Sequence, residues 1–524
     1  MLKGSLFQIL KQAYYIATEA NRSQISPNEA IANYQRLLIS RRKMIQASLV
    51  ATGALGAVAF NDVVTRANPL AEKVLIVGAG IAGLTAGYYL QQAGVRVRIL
   101  EADSRIGGRI RSQPQGVGTP ITIELGGEFI DSGHKNIRQL AQDLGLELVD
   151  LFASDTGLKS EIRWFDGKSI ESSQLVAAFM PLAKQMAEDA KAVGEVTYKT
   201  ANADAKKVDQ LSISDYLSKY CADLLLRRFI ESAYTNEYGI SVKQQSALNL
   251  ILLIGKEAEK IEIYGSSDQR YVIKGGNQQI TDRLAAKLVN SIELNTSLAS
   301  VELTSDNRYR VGVKSRNKTK EYLYDRVVLA LPFSVLRRID FKVPLPEVKQ
   351  QAIYELGYGT NTKLITGYRD RLWRTKYGSN GQVFSDGNSL SETWESSRYS
   401  TAKQGVIVSF AGGELGKSLA KSQPETAGRE FVDELQKVLP SVKDSYLNQP
   451  IITNWIDSPY SRGSYACYLV GQWTKFAGAE GERVQNLFFA GEHCSLEAQG
   501  YMEGGCITGL AVAKAILAEV KIKS

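Results

Sequence analysis

The sequence predicts an α/β fold, on three observations. Val74-Leu75-Ile76-Val77 is a continuous apolar run of the kind buried in parallel sheets. It passes directly into Gly78-Ala79-Gly80-Ile81-Ala82-Gly83, after which Leu84 to Ala93 reads as a helix closed by Gly94. A second apolar run, Val95 to Leu100, ends on Glu101. Strand, glycine turn, helix, strand and carboxylate, in that order, make a Rossmann-like βαβ unit that cradles a dinucleotide.

Each part of that unit has a physical reason. Gly78 permits the tight turn, Gly80 lets the backbone approach a diphosphate, and Gly83 lets helix and strand pack closely. The helix start, with Ala82 in its first turn, offers free N–H groups to phosphate oxygens. Glu101, with Ala102 beside it, stands about 20 residues on, where a carboxylate accepts from ribose hydroxyls.

Bulk properties narrow the function. A 524-residue chain with 44% apolar and 23% charged residues has the composition of a globular enzyme and is long enough for more than one domain. The net charge of +8 is scattered, without the basic patch or motif of a nucleic-acid binder. Only two histidines, His134 and His493, stand far apart, and the four cysteines form no CxxC pair. A metal site or a Ser-His-Asp triad is therefore not expected, and a bound cofactor is left to carry the chemistry.

The first seventy residues read separately. Residues 1–40 place Leu6, Ile9, Leu10, Tyr14 and Ile16, then Ile31, Tyr34, Leu37 and Leu38, at near-helical spacing, which predicts two short amphipathic helices divided near Pro27. In 41–70, Arg41-Arg42 precedes an uncharged run, Ala47 to Phe60, with Ala57-Val58-Ala59 as a small-residue cleavage site. This resembles a Tat export signal and would bring the Tat translocon in as a partner and an exported location. The basic residues start far from Met1, so a packed helix of a cytoplasmic protein stays open as the other reading.

Further glycine-rich segments distinguish the cofactor. Arg105-Ile106-Gly107-Gly108-Arg109 pairs two glycines with flanking cations, and Glu124-Leu125-Gly126-Gly127-Glu128-Phe129-Ile130 follows. Near the other end, Phe488-Phe489-Ala490-Gly491-Glu492-His493 reads as a strand and turn, and Gly500-Tyr501-Met502-Glu503-Gly504 opens a helix running from about Cys506 to Val520. Together these motifs resemble the flavin-containing amine oxidase superfamily, which includes monoamine, polyamine and L-amino-acid oxidases, over roughly residues 71–520. The resemblance implies FAD, held at Gly78, Gly80, Ala82, Gly83, Glu101, Ala102, Gly108, Arg109, Gly126, Gly127, Glu128, Phe129, Leu298, Gly491, Glu492, Tyr501 and Met502. Ser464 stands where the monoamine oxidases of animals carry the flavin-linking cysteine, which implies non-covalent FAD.

The family architecture implies an FAD-binding domain assembled from discontinuous segments, 71–135, 269–344 and 455–524. Residues 136–268, helix-rich, and 345–454, with strands and helices, would form a mixed-sheet and helical substrate-binding domain. The resemblance also assigns the chemistry. Tyr465 and Tyr501 would be two facing aromatic walls, Trp455 would lead into the first, and Lys363 would hold a water near flavin N5. Asp103, Glu128 and His134 depart from or flank the family pattern, and Glu128 suggests an acidic lining near flavin or substrate ammonium.

The implied activity is oxidation of an amine C–N bond by hydride transfer to FAD, imine hydrolysis, and reoxidation by O2 to H2O2. An L-amino-acid oxidase is the alternative; it would need an arginine to fork onto the substrate carboxylate, with Arg227 or Arg228 as recruits. A flavin desaturase or isomerase is a more distant reading. A homodimer is allowed for.

Overall fold

The computed structural model describes residues 5–37, 74–255, 267–315 and 318–522. At its centre is a five-stranded parallel sheet in the order Leu487–Phe489, Arg326–Leu329, Val74–Val77, Val97–Leu100, Ile292–Glu293. In chain order this is 5-4-1-2-3, so the order reverses between Val74–Val77 and Arg326–Leu329. Crevices beyond the carboxyl ends of strands at such a reversal are the ligand sites of open α/β sheets.

Alternation along Val74–Val77 explains why both faces are covered. Val74 and Ile76 pack with Leu84 and Leu90 of helix Ile81–Gln92 and with Ile516 of the carboxy-terminal helix, Met502–Ile522. Leu75 and Val77 face the other way, toward Leu298 and Val301, which belong to a four-stranded sheet of Thr296–Leu303, Tyr309–Ser315, Lys318–Tyr324 and Asp340–Lys342. The last helix starts at Met502, earlier than the expected Cys506. Its Gly509 makes the close crossing possible, since a Cβ there would lie 2.3 Å from the Ala82 carbonyl oxygen.

A mixed seven-stranded sheet forms the second body. Its order is Ile451–Ile452, Thr362–Tyr368, Gly405–Ala411, Glu392–Glu395, Val383–Ser385, Ile162–Phe165, Lys168–Ser169. Only Val383–Ser385 and Ile162–Phe165 run parallel. Residues 136–268 are therefore not purely helical: besides the long helices Ser172–Val193 and Leu224–Tyr238 they give this sheet a hairpin. Its turn is Asp166-Gly167, both at positive φ (54° and 69°), as a two-residue hairpin loop requires.

Helix Ser5–Ser23 is followed by a second helix over residues 27–37, which opens on Pro27. The first buries Ile9, Leu10, Ala13, Tyr14, Ala17 and Ala20 in the same cluster as Phe179, Leu226 and Phe229 of the helical segment. Asn21 Nδ2 donates to the Met180 carbonyl at 2.8 Å. The twin-arginine segment of 41–70 lies outside the described residues. Among the described residues no helix is long and apolar enough to cross a membrane.

Candidate active site

A cavity of about 280 Å³ lies beyond the carboxyl ends of the central strands. Val77 and Gly78, Leu100 and Glu101, Ala330, and Gly491 all contribute to its wall, each just past or at the end of a different strand. The two amino-terminal glycine motifs meet here, because Gly107 N donates to the Ala79 carbonyl at 2.9 Å. Gly80 is the N-cap of helix Ile81–Gln92 and has no side-chain cap, so the helix start is left open to an acceptor.

The glycines divide by what a side chain would meet. A Cβ at Gly80 would find nothing within 4 Å, so this backbone faces open cavity; one at Gly108 would meet only Gly80 Cα, at 3.5 Å. A Cβ at Gly83 would lie 2.0 Å from the Gly78 carbonyl oxygen, and at Gly126 it would lie 1.9 Å from the Arg109 carbonyl oxygen. The first pair leaves room for a ligand, and the second pair lets backbone pack on backbone. Glu101 accepts from Ala79 N and Asp103 N, both at 2.8 Å. Burial nevertheless pushes its carboxyl pKa up. This cradle of bare backbone, open helix start and buried carboxylate fits a diphosphate and its ribose.

The motifs 380 residues apart converge through one ion pair. Arg109 donates to Glu492 Oε1 at 2.9 Å and to the Ser464 carbonyl at 2.6 Å. Glu492 also accepts from Gly500 N at 2.9 Å. Half-buried Arg109 thus joins the turn after the second glycine motif to both carboxy-terminal segments. Next to it His493 is buried, its ring edge-on to Phe333 at 4.5 Å, and burial drives its pKa well below the ordinary value. It stays neutral at neutral pH.

The cavity wall includes Gly78, Gly80, Ala82, Glu101, Ala102, Gly108, Arg109, Gly127, Leu298, Trp455, Gly491, Glu492, Tyr501 and Met502, all of them expected from the sequence. Gly83, Gly126, Glu128, Phe129, Lys363 and Tyr465 are not in that wall. Gly83 and Gly126 are in backbone contacts. Phe129 packs edge-on against Trp394, with ring centroids 5.8 Å apart. Tyr465 lies directly behind Gly500: a Cβ there would be 3.3 Å from its ring. Its hydroxyl donates to the Glu237 carbonyl, and Tyr501 meets the His134 ring edge-on at 4.8 Å. Burial, then Glu237 for Tyr465 and Asp131 for Tyr501, raises both phenol pKa values well above 10. Both rings stay neutral.

Lys363 and Glu128 are brought together, 2.8 Å apart, and both are almost fully buried. Glu128 is thus not a free acidic lining; its carboxylate is engaged by the lysine, by Trp394 Nε1 at 3.1 Å and by Ser396 Oγ at 2.8 Å. Ser464 is buried and its hydroxyl donates to Asn361 Oδ1 at 2.6 Å. Arg227 and Arg228 are not site residues. Arg227 bonds the Cys221 and Ser218 carbonyls, and Arg228 faces Asp166 and Asp386 at 3.6 and 3.7 Å on the surface.

Several wall residues were given no site role from the sequence, although most lie in segments singled out there: Ala330, Leu331, Pro332 and Val335, Ser458 to Ser461, and His493. The first group had a signal, since it follows an apolar run and so stands at a strand's carboxyl end. Ser458 to Ser461 form a loop whose place is set by long-range packing.

Comparison with known proteins agrees with this geometry. The family model for flavin containing amine oxidoreductase matches residues 81–517. The flavin-containing amine oxidase A of Sus scrofa is 24% identical over 469 residues, 85% of this chain and 84% of that protein. A probable flavin-containing monoamine oxidase A of Dictyostelium discoideum is 25% identical, over 84% of this chain and 97% of its own. Cyclohexylamine oxidase from Brevibacterium oxydans IH-35A shares the fold with a TM-score of 0.74 at 22% identity, covering 86% of this chain and 99% of its own. Putrescine oxidase bound to putrescine superposes with a TM-score of 0.72 at 21% identity, over 85% and 99%. The bare-backbone cradle and the matched motifs at both ends of the chain have one explanation: this chain belongs to the flavin-containing amine oxidoreductase family and is an FAD-dependent oxidoreductase acting on amines.

Proposed function

We propose that the protein is an amine oxidase with non-covalent FAD, oxidising a C–N bond and passing the electrons to O2. The observation that carries this reading is the pairing of a backbone cradle with two buried, neutral tyrosines whose segments meet at Gly500. FAD held by the glycine turn, the helix start at Ile81 and Glu101 would supply hydride acceptance from the substrate α-carbon and the two-electron return to O2 that yields H2O2. Water then converts the released imine to a carbonyl product and ammonia or an amine.

The chain's own residues bind, orient and exclude water. The open helix start at Gly80 and Ile81 would receive the diphosphate through backbone N–H groups, Gly78 shapes the turn with its own N–H donated to the Leu100 carbonyl at 2.8 Å, and Glu101 would receive the ribose. Arg109 and Glu492 fix the turns that border the ring end of the cavity. Tyr501 in the wall presents a neutral aromatic ring to a neutral amine, and Tyr465 backs the adjoining Gly500 turn. Trp455 closes the wall, its indole N–H donating to the Leu125 carbonyl at 3.2 Å. Ser464 has a hydroxyl already committed to Asn361 and no thiol, which supports a flavin without a covalent tether.

The amine reading is favoured over an L-amino-acid oxidase because Arg227 and Arg228, the recruits for a carboxylate clamp, are engaged elsewhere. A peroxide assay on purified yellow protein tests it, with monoamines, diamines and the L-amino acids as substrates. Peroxide is expected with amines; no peroxide with any amine sinks the proposal. Acid precipitation should release the yellow colour into the supernatant, whereas a coloured pellet would contradict non-covalent binding.

A further inference from the structure

Glu128 follows Gly127, a residue of the cavity wall, and turns its side chain away from the cavity toward the seven-stranded sheet. Lys363 reaches the same place from strand Thr362–Tyr368. Its ammonium has three donors, and three acceptors meet them: the Glu124 carbonyl at 2.9 Å, the Gly126 carbonyl at 2.9 Å and Glu128 Oε2 at 2.8 Å. The other carboxylate oxygen of Glu128 is held by Trp394 Nε1 and Ser396 Oγ. The lysine is therefore fixed against the outer side of the peptide that borders the cavity, and its charge is matched by a carboxylate in contact.

An ammonium alone beside a cavity is a monopole whose field favours any added negative charge there. Paired at contact distance with a carboxylate it becomes a dipole, and its field falls off much faster with distance. We propose that Glu128 is a positioning residue for amine oxidation, clamping Lys363 against the cavity-bordering peptide and cancelling its charge, so that bound flavin is harder to reduce than an uncompensated lysine would make it. This rests on the assignment of the cavity to FAD.

The test reads the flavin rather than turnover. Midpoint potential and sulfite affinity are measured on the purified holoprotein and on Glu128→Gln, Glu128→Asp, Lys363→Met and the Glu128→Gln/Lys363→Met double variant. Removing the carboxylate charge in Glu128→Gln should raise the potential and tighten sulfite binding tenfold or more, a tenfold change being about 30 mV for a two-electron couple. Glu128→Asp, which keeps the charge, should stay near wild type. The double variant leaves neither member of the pair as an unpartnered buried charge, so it also serves where the single variant fails to fold. Its potential should match wild type, because neither a pair nor its absence presents a net charge to the cavity. An unchanged potential in Glu128→Gln, or a double variant whose sulfite affinity departs from wild type by tenfold, overturns the proposal. A wild-type protein that holds no flavin overturns the assignment of the cavity instead.

Discussion

Gly80 and Gly83 stand three residues apart in one turn and are needed for opposite reasons. At Gly83 an added methyl would sit 2.0 Å from the Gly78 carbonyl oxygen and 3.2 Å from Ala330 Cβ, so the turn itself must open. At Gly80 the added methyl meets nothing, and φ is an ordinary −76°. Gly83→Ala is therefore expected to destabilise the apoprotein by about 1–3 kcal/mol or more, as overpacking does. Gly80→Ala should leave the apoprotein's melting temperature unchanged and weaken FAD binding at least tenfold, because the methyl takes the space the diphosphate needs. Thermal melting of apoprotein and FAD titration separate the two; equal losses in both assays from both variants would contradict the division. These glycines were legible in the sequence because strand, turn and helix lie within twenty residues. The contact between Glu128 and Lys363 was not, since 235 residues separate them and no local period marks a cross-body ion pair.

Elements that carry the site come from distant stretches of chain, and the same rule explains which were foreseen. The strand Val74–Val77 and the stretch Val327–Leu329 of strand Arg326–Leu329 are short apolar runs, the pattern of strands buried on both faces. The hairpin Ile162–Phe165 and Lys168–Ser169 was lost within a helix-rich stretch, though Asp166-Gly167 is its turn signature. At the amino terminus the helical spacing was visible but its packing was not. Helix Ser5–Ser23 sits in the core of the helical segment, with Tyr14 and Phe179 rings 5.8 Å apart. Leu10→Ala should cost roughly 2–5 kcal/mol. Gln12→Ala, on the exposed side of the same helix, should stay within about 0.5 kcal/mol. Urea unfolding of the holoprotein checks this, and equal effects would mean the helix is not part of the core. Because this helix precedes the twin-arginine segment, cleavage at 57–59 would separate a buried element from the body it completes.

At the scale of the whole molecule, the five-stranded sheet and the seven-stranded sheet meet at the residues that matter. Arg109 and Glu492 join the two ends of the cofactor-facing chain, and Lys363 with Glu128 joins that chain to the second sheet. The cavity is closed only when segments from residues 77–127, 296–339 and 455–505 are all in place. Its architecture follows from the sheet order, with the site at the reversal between the first and fourth strands in sequence. The fold class was readable because each βα junction is local. Which amine enters was not, because no local period in the sequence marks side chains that only long-range packing brings together. The most direct test of the central claim is anaerobic mixing of the yellow holoprotein with amines and, separately, with L-amino acids, following the flavin colour. The colour should bleach with an amine and return with one peroxide per amine when O2 is readmitted. A flavin that stays yellow with every amine, or bleaches only with amino acids, would contradict the account.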